Sequence, residues 1–369
     1  MHAEARARSY HRRQLWLAVG GLLVAAAYLV TLLATGAAVA LRDRLSAFTP
    51  RWWVQLLLAL VILGAGYRLL ALPLHWLRGF WLPRRFGLLH QPFHRWLWDV
   101  AKATVIGGVL GLLGAEVVYG LLRATPWWWL WSAVLFLAGY ALLAWVAPVW
   151  LVPLFYRLIP LEDADLRGRL LGIATKAGVP VLGVWIADQS RKSRTANAAV
   201  VGLGGTRRIV LFDTLIKEFT PAEVEAVLAH ELAHQVHHDV GRGLLVQGAF
   251  TLATFWVADQ LLAAGATGLG LTGPADLGGL PLLGLILMAL GLVALPMGNG
   301  WSRRVESQAD DFALRMGGNP EAFIAAMERL GDLNLAERDP HFVKEFLLYS
   351  HPSITRRVAR ARALLRSQC

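Results

Sequence analysis

Cysteine is almost missing from this chain: a single copy, Cys369, stands at the last of 369 positions. One thiol excludes an internal disulfide, and a cysteine with no three residues after it is not a prenylation signal, so no role is expected for it. Charge is scarce as well. Charged residues make up 17% of the chain against 56% hydrophobic, with 16 tryptophans, a balance that excludes an ordinary soluble domain. No interleaved aromatic and basic pattern argues for nucleic acid, and the glycines Gly202, Gly204 and Gly205 are followed by no Gly-Lys-Ser/Thr, which excludes a phosphate loop. Between Gly265 and Gly279 there is no lysine or arginine at all.

What is there is apolar sequence in long runs. Six stretches approach the roughly 20 residues needed to cross a bilayer as a helix: Leu15 to Leu41, Trp52 to Leu72, Ala103 to Leu122, Trp127 to Leu151, Leu244 to Ala264 and Leu280 to Met297, the last short and bearing glycines. The first is too long, and lacks a small-residue cleavage site, for a secretory signal. Arginines crowd the leader (Arg6, Arg8, Arg12, Arg13) and the second connection (Arg78, Arg84, Arg85, Arg95, with Lys102). The excess of basic residues in cytoplasmic loops then places the amino terminus and the segment around His230 in the cytoplasm, with Arg42, Arg44 and Arg51 as dissent on the outer side. The net charge of +11 is accounted for by this topology and by anionic headgroups. The cluster Trp127-Trp128-Trp129 with Trp131 reads as an interfacial belt.

Chemistry concentrates at His230-Glu231-Leu232-Ala233-His234. Thr220-Pro221-Ala222-Glu223 is a capping box with proline at the first helical position, and Val224, Val227, Leu228 and Leu232 recur at helical spacing. Four residues are one turn, so His230 and His234 can reach one metal ion, while Glu231, about 100° around the helix, suits a base acting on water. The bland alternative is a polar patch on a core helix. Some seventy residues on, a second helix is expected from Arg303 to Met316, ended by Gly317-Gly318. Glu306 is a candidate third ligand and Asp310 a candidate partner for a histidine ring N–H. Read alone, these acids equally suit a solvated face paired with Arg303, Arg304 and Arg315. His237 and His238 are potential adventitious ligands, or simply a polar helix end.

Between the fourth and fifth apolar runs lies a soluble-looking segment, about 160 to 219. A helix is expected from Leu161 to Ala177, a strand from Val184 to Ala187, and a hairpin from Ala198 to Leu203 and Arg208 to Phe212 around Gly204-Gly205-Thr206. A strand edge beside a metal-binding helix can hold an extended peptide by backbone pairing.

Several motifs now carry a resemblance. Pro153-Leu154-Phe155-Tyr156 running to Pro160-Leu161, Asp188 to Ser193 followed by Thr195-Ala196-Asn197-Ala198, Arg208-Ile209-Val210-Leu211-Phe212-Asp213-Thr214-Leu215, Arg85-Phe86-Gly87-Leu88, and His351-Pro352-Ser353-Ile354-Thr355-Arg356-Arg357 resemble stretches of the integral-membrane zinc metallopeptidases. That family includes the type I CAAX prenyl endopeptidases and, more distantly, the bacterial heat-shock protease HtpX. The resemblance runs from about Arg84 to Leu365. It implies one zinc per chain held by His230, His234 and Glu306, Glu231 as catalytic base, Asp310 behind a ligand, Asn197 and Ala198 on the substrate-binding strand, and His351 and Arg357 facing the substrate and the developing oxyanion. Without it, His351 reads as a loop histidine before a basic helix. Ala233 departs from the family's glycine, and six spans stand where the prenyl endopeptidases have seven.

The expected fold is an α-helical multi-span membrane protein carrying a zincin-like α+β metallopeptidase core. Residues 1–152 form a four-helix membrane region, 153–243 and 299–369 the cytoplasmic-facing core, and 244–298 two further membrane helices inserted in it. The expected function is zinc-dependent hydrolysis of peptide or protein substrates, prenylated or membrane-bound, in the bilayer and without nucleic acid. The arginine-rich, lysine-poor composition suggests a bacterial inner membrane. The alternatives are HtpX-like quality control of membrane proteins, or a non-catalytic scaffold, against which stand three protein ligands and a base where structural zinc has four ligands. Oligomeric state is not legible in the sequence.

Overall fold

The computed structural model describes residues 2–202, 204–317 and 319–368. Leu203, Gly318 and Cys369, which figure in the expectations above, lie outside the described residues. The chain opens with α1 (His2–Ala34), α2 (Ala37–Phe48) and α3 (Trp52–Trp76), which runs through a π-helical turn at Leu77–Trp81 into α4 (Leu82–Arg85). The helices α5 (Phe93–Ala124) and α6 (Trp128–Val146) follow. The mixed part comprises β1 (Leu158–Pro160), α7 (Ala164–Lys176), β2 (Val184–Ala187), β3 (Ala198–Val201), β4 (Arg208–Phe212), α8 (Asp213–Glu218) and α9 (Pro221–Val236). After it come α10 (Asp239–Gly268), α11 (Leu280–Gly317), α12 (Pro320–Leu333), α13 (Phe342–Leu348) and α14 (Ile354–Gln368).

Among the described residues six helical stretches are long and apolar enough to cross a membrane: Glu4–Ala34, Trp52–Arg85, Phe93–Ala124, Trp128–Leu154, Asp239–Gly268 and Leu277–Met316. All six depart from the expected bounds, and two of the departures change the architecture. The first run breaks, because Gly36 takes a left-handed conformation (φ 68°) and separates α1 from α2, whose 12 residues are too short to span. The last run does not stop at Met297. It continues without a break through Arg303 to Gly317 as one 38-residue helix with Pro296 inside it, so the membrane segment and the helix bearing Glu306 are a single rod. The connections 35–51 and 269–279 meet: Arg42 donates to Asp276 at 2.5 Å, and Asp276 also accepts from Thr272 and Gly278. The expected dissenting arginine thus has a buried acid as its partner.

The sheet runs β1-β2-β4-β3, with β2 and β4 parallel and the other pairs antiparallel. β3 and β4 pair as the expected antiparallel hairpin, with β3 ending at Val201, and β1 is an addition too short to show a period. The buried core of this part joins Leu170 of α7, Ile209 and Leu211 of β4, Leu228 and Leu232 of α9, Phe323 of α12 and Ala361 of α14. The loop after α4 is tied to it, since Leu89 bridges Ser193 and Arg194 N donates to Leu88 O. The second connection and the mixed core therefore lie on the same side of the bundle.

Candidate metal centre

Helix α9 begins at the expected capping box, in which Thr220 accepts from Glu223 N and the Glu223 side chain accepts from Thr220 N. With Val224, Leu228 and Leu232 anchored in the core, the opposite side of the helix turns His230 and His234 toward α11. There Glu306 meets both. Its Oε2 lies 3.1 Å from His230 Nε2 and its Oε1 3.8 Å from His234 Nε2. Ligand atoms of His230, His234 and Glu306 all fall within 4.8 Å of one another.

The other ring nitrogens are also engaged. His230 Nδ1 lies 2.9 Å from Asp310 Oδ1, and Arg357 clamps the same carboxylate through Nη2 at 2.6 Å and Nε at 2.9 Å. Arg357 Nη2 passes 3.3 Å from His230 Nδ1, but a guanidinium only donates, so the carboxylate is the partner that fixes the proton on Nδ1. His234 Nδ1 sits 3.0 Å from Asp239 Oδ2, and Asp239 is held in turn by Arg242 at 2.9 Å. Both histidines thus keep their Nε2 lone pairs for the space beside Glu306. Two imidazoles, one carboxylate and an acid behind each imidazole fit a metal with an open coordination position.

Electrostatics agree with that fit. Burial disfavours charge on His230, yet its hydrogen bonds to Asp310 and Glu306 prevail and push its pKa up to about 9, so the two carboxylates favour a positive charge at Nε2, which a metal ion would supply in place of the proton. Burial pushes the Glu231 carboxyl up as well, opposed by the nearby His230 and His234. A carboxylate raised toward neutrality is suited to take up and release a proton.

His351 reaches the cluster from the loop before α14, its Nε2 3.4 Å from Glu306 Oε1, with 57% of the side chain exposed. A cavity of about 330 Å³ is lined by Asn197, Ala198, His230, Glu231, His351 and Arg357 among others. Arg357 is tied down in it, its Nε and Nη2 both bonded to Asp310. Two further groups, not foreseen from the sequence, shape the strand beside the cavity. Asn334 at the end of α12 donates to Ala196 O and accepts from Ala196 N, while Gln235 donates to Val200 O. Phe212 N pairs with Asn197 O, so residues 198 and 200 turn their backbone groups away from β4. Ala198 is left between the two capped positions, facing the cavity. Asp239 was equally unforeseen. Its place just past the second histidine, where a helix ends, was the only available signal.

The model of "Peptidase family M48" matches residues 160–365, and that of "CAAX prenyl protease N-terminal, five membrane helices" matches residues 2–157. The chain belongs to peptidase family M48. Within that family, it is 29% identical over 335 residues to the "Uncharacterized metalloprotease YhfN" of Bacillus subtilis, covering 89% of this chain and 78% of that protein. It is 33% identical over 199 residues to "CAAX prenyl protease 1" of Saccharomyces cerevisiae, a match covering 52% of this chain and 43% of the yeast protein. The fold is that of Ste24p from S. mikatae, with a TM-score of 0.86 at 23% identity, covering 98% of this chain and 89% of that one. As an M48 peptidase with these spans, the chain is a metal-dependent, integral membrane metalloprotease. Where the N-terminal family model has five membrane helices, the described residues between 2 and 157 form four long ones and the short α2.

Proposed function

We propose that the chain hydrolyses peptide bonds with one zinc ion held by His230, His234 and Glu306, in a cleft facing the cytoplasm of a bacterial cell. The observation that carries this reading is the convergence of these three side chains with Glu231 and a strand edge on one cavity. Bound zinc supplies the Lewis acidity that polarises a carbonyl and makes water nucleophilic near neutral pH. The remaining work falls to the protein. Glu231 takes the proton from the attacking water and delivers it to the leaving amine nitrogen. His351, exposed above Glu306, donates to the carbonyl oxygen as negative charge grows there. Arg357 acts through Asp310, keeping that carboxylate ionised and the His230 ring oriented.

The substrate lies extended along β3. Ala198 offers one N–H and one C=O at the free edge, with Asn334 and Gln235 covering the positions on either side. Asn197, which lines the same cavity, would contact the substrate on this strand.

A CAAX-type, lipid-modified substrate is favoured by a second cavity. It measures about 680 Å³, lies among α3, α5, α6, α10 and α11, is lined by Phe136, Phe250, Phe255 and Leu287, and reaches Asn299 at the end nearer the mixed core. An apolar hollow of that size suits an isoprenoid chain. Cleavage of a quenched-fluorescent farnesylated CAAX peptide beside its unprenylated counterpart tests the reading. Zinc-dependent cleavage that prefers the farnesylated peptide is expected. Cleavage indifferent to the prenyl group would point instead to membrane-protein quality control.

A further inference from the structure

Helix α13 is apolar on its outside. Phe342, Val343, Phe346 and Leu347 share one face and are 67%, 43%, 55% and 40% exposed, while Glu345 on the opposite side is buried. The patch stays open on a seven-residue helix although Phe342 packs on its neighbour His341 and Phe346 lies under the Arg303 guanidinium. Its depth is set by α11. Asn299, two residues past Met297, where the continuous apolar run of α11 gives way to Gly298-Asn299-Gly300 and then Arg303-Arg304, donates to Leu347 O at 2.8 Å. Arg303, one turn further, donates to the carbonyls of Glu345, Phe346 and Tyr349, satisfying the end of α13. The apolar face therefore sits at the level where the membrane-spanning part of α11 ends.

Beside it opens a hollow of about 600 Å³ lined by Arg303, Arg304, Arg356, Arg357 and Arg360 against only Asp310 and Glu345. Arg357 is committed to Asp310, Arg360 to Asp311 and Arg303 to carbonyls. Arg356 keeps a single contact with Glu345 at 3.2 Å and is 63% exposed, and Arg304 has no acid partner among the described residues. The unpaired guanidinium of Arg304, with the exposed and singly paired one of Arg356 beside it, next to an apolar face at bilayer depth, matches a phosphate on an acyl chain.

We infer that α13 is an interfacial helix seated in the bilayer, with Phe342, Val343, Phe346 and Leu347 among the acyl chains and Arg304 and Arg356 holding the phosphate of an anionic lipid. The alternative occupant of the same face is a peptide substrate. The test uses the full chain with Cys369→Ser, nitroxide-labelled at Phe346→Cys or, as a second position, Val343→Cys, in nanodiscs of phosphatidylcholine with and without phosphatidylglycerol. Both labels should be relaxed by oxygen and shielded from an aqueous nickel complex. Native mass spectrometry should show phosphatidylglycerol retained by the parent chain, undisplaced by inorganic phosphate, and retained at least fivefold less after Arg304→Ser with Arg356→Ser. Labels open to nickel, or shielded only when a peptide is added, would overturn the membrane seat. Retention unchanged by the double substitution, or abolished by inorganic phosphate, would overturn the lipid phosphate site.

Discussion

Asp239 Oδ2 stands 3.0 Å from Nδ1 of His234, across the turn that joins α9 to α10. The turn is made by His238 in a left-handed conformation (φ 55°), which brings the first residue of α10 back over the last turn of α9. Asp239→Ala should leave the ring free to rotate and lower zinc affinity by about 10- to 100-fold. Competition with a chelator, read as zinc occupancy, measures this. Asp239→Asn should recover part of the loss, because the amide oxygen can still accept.

Arg357 and Asp310 form a two-bond pair with 2% of the Asp310 side chain exposed. Removing the cation leaves a buried carboxylate unpaired, so Arg357→Ala should destabilise the core by about 3 kcal/mol. Arg357→Lys keeps the charge and loses the fork. It should melt close to the parent while turning over more slowly, a separation read by thermal unfolding beside kcat.

Ala198 points its N–H away from β4, so Ala198→Pro removes no bond of the hairpin. The fold should survive and kcat/KM for an extended peptide should fall about tenfold, the loss of about 1.4 kcal/mol of backbone pairing. An unchanged kcat/KM would exclude pairing at this edge.

Asp276 is buried, and although burial alone would raise it, its bonds from Thr272 and Gly278 and the charge of Arg42 hold its pKa below the ordinary value of 3.8. A depressed carboxylate adds stability above the unfolded value that is lost as pH falls through the folded one. Asp276→Asn should therefore lower the melting temperature at pH 7 and differ less and less from the parent as the pH drops below about 4.

Local signals made much of this molecule legible. The capping box at Thr220, the helical recurrence behind His230 and the short apolar runs of β3 and β4 around a glycine-bearing turn all act within a few residues of chain. Hydropathy marked the six spans but could not bound them. Gly36 interrupts an apolar run by conformation rather than polarity, and α11 continues past Met297 because Arg303 and Glu306 are packed against α13 and α9. Asp239, Gln235 and Asn334 were not legible, since each acts on a partner chosen by the fold: a ring across a turn, or a carbonyl 35 or an amide 138 residues away. The exposed face of α13 was hidden by its shortness, seven residues being too few to show a period.

The central claim is that zinc at His230, His234 and Glu306 works with Glu231 as the base. Zinc content and peptide cleavage, measured together on the purified parent chain and Glu231→Gln, test it most directly. Both proteins should carry one zinc ion per chain, and the substitution should lower turnover by at least about a thousandfold. A Glu231→Gln protein that holds zinc and cleaves at the parent rate, or a parent chain that cleaves without zinc, would contradict it.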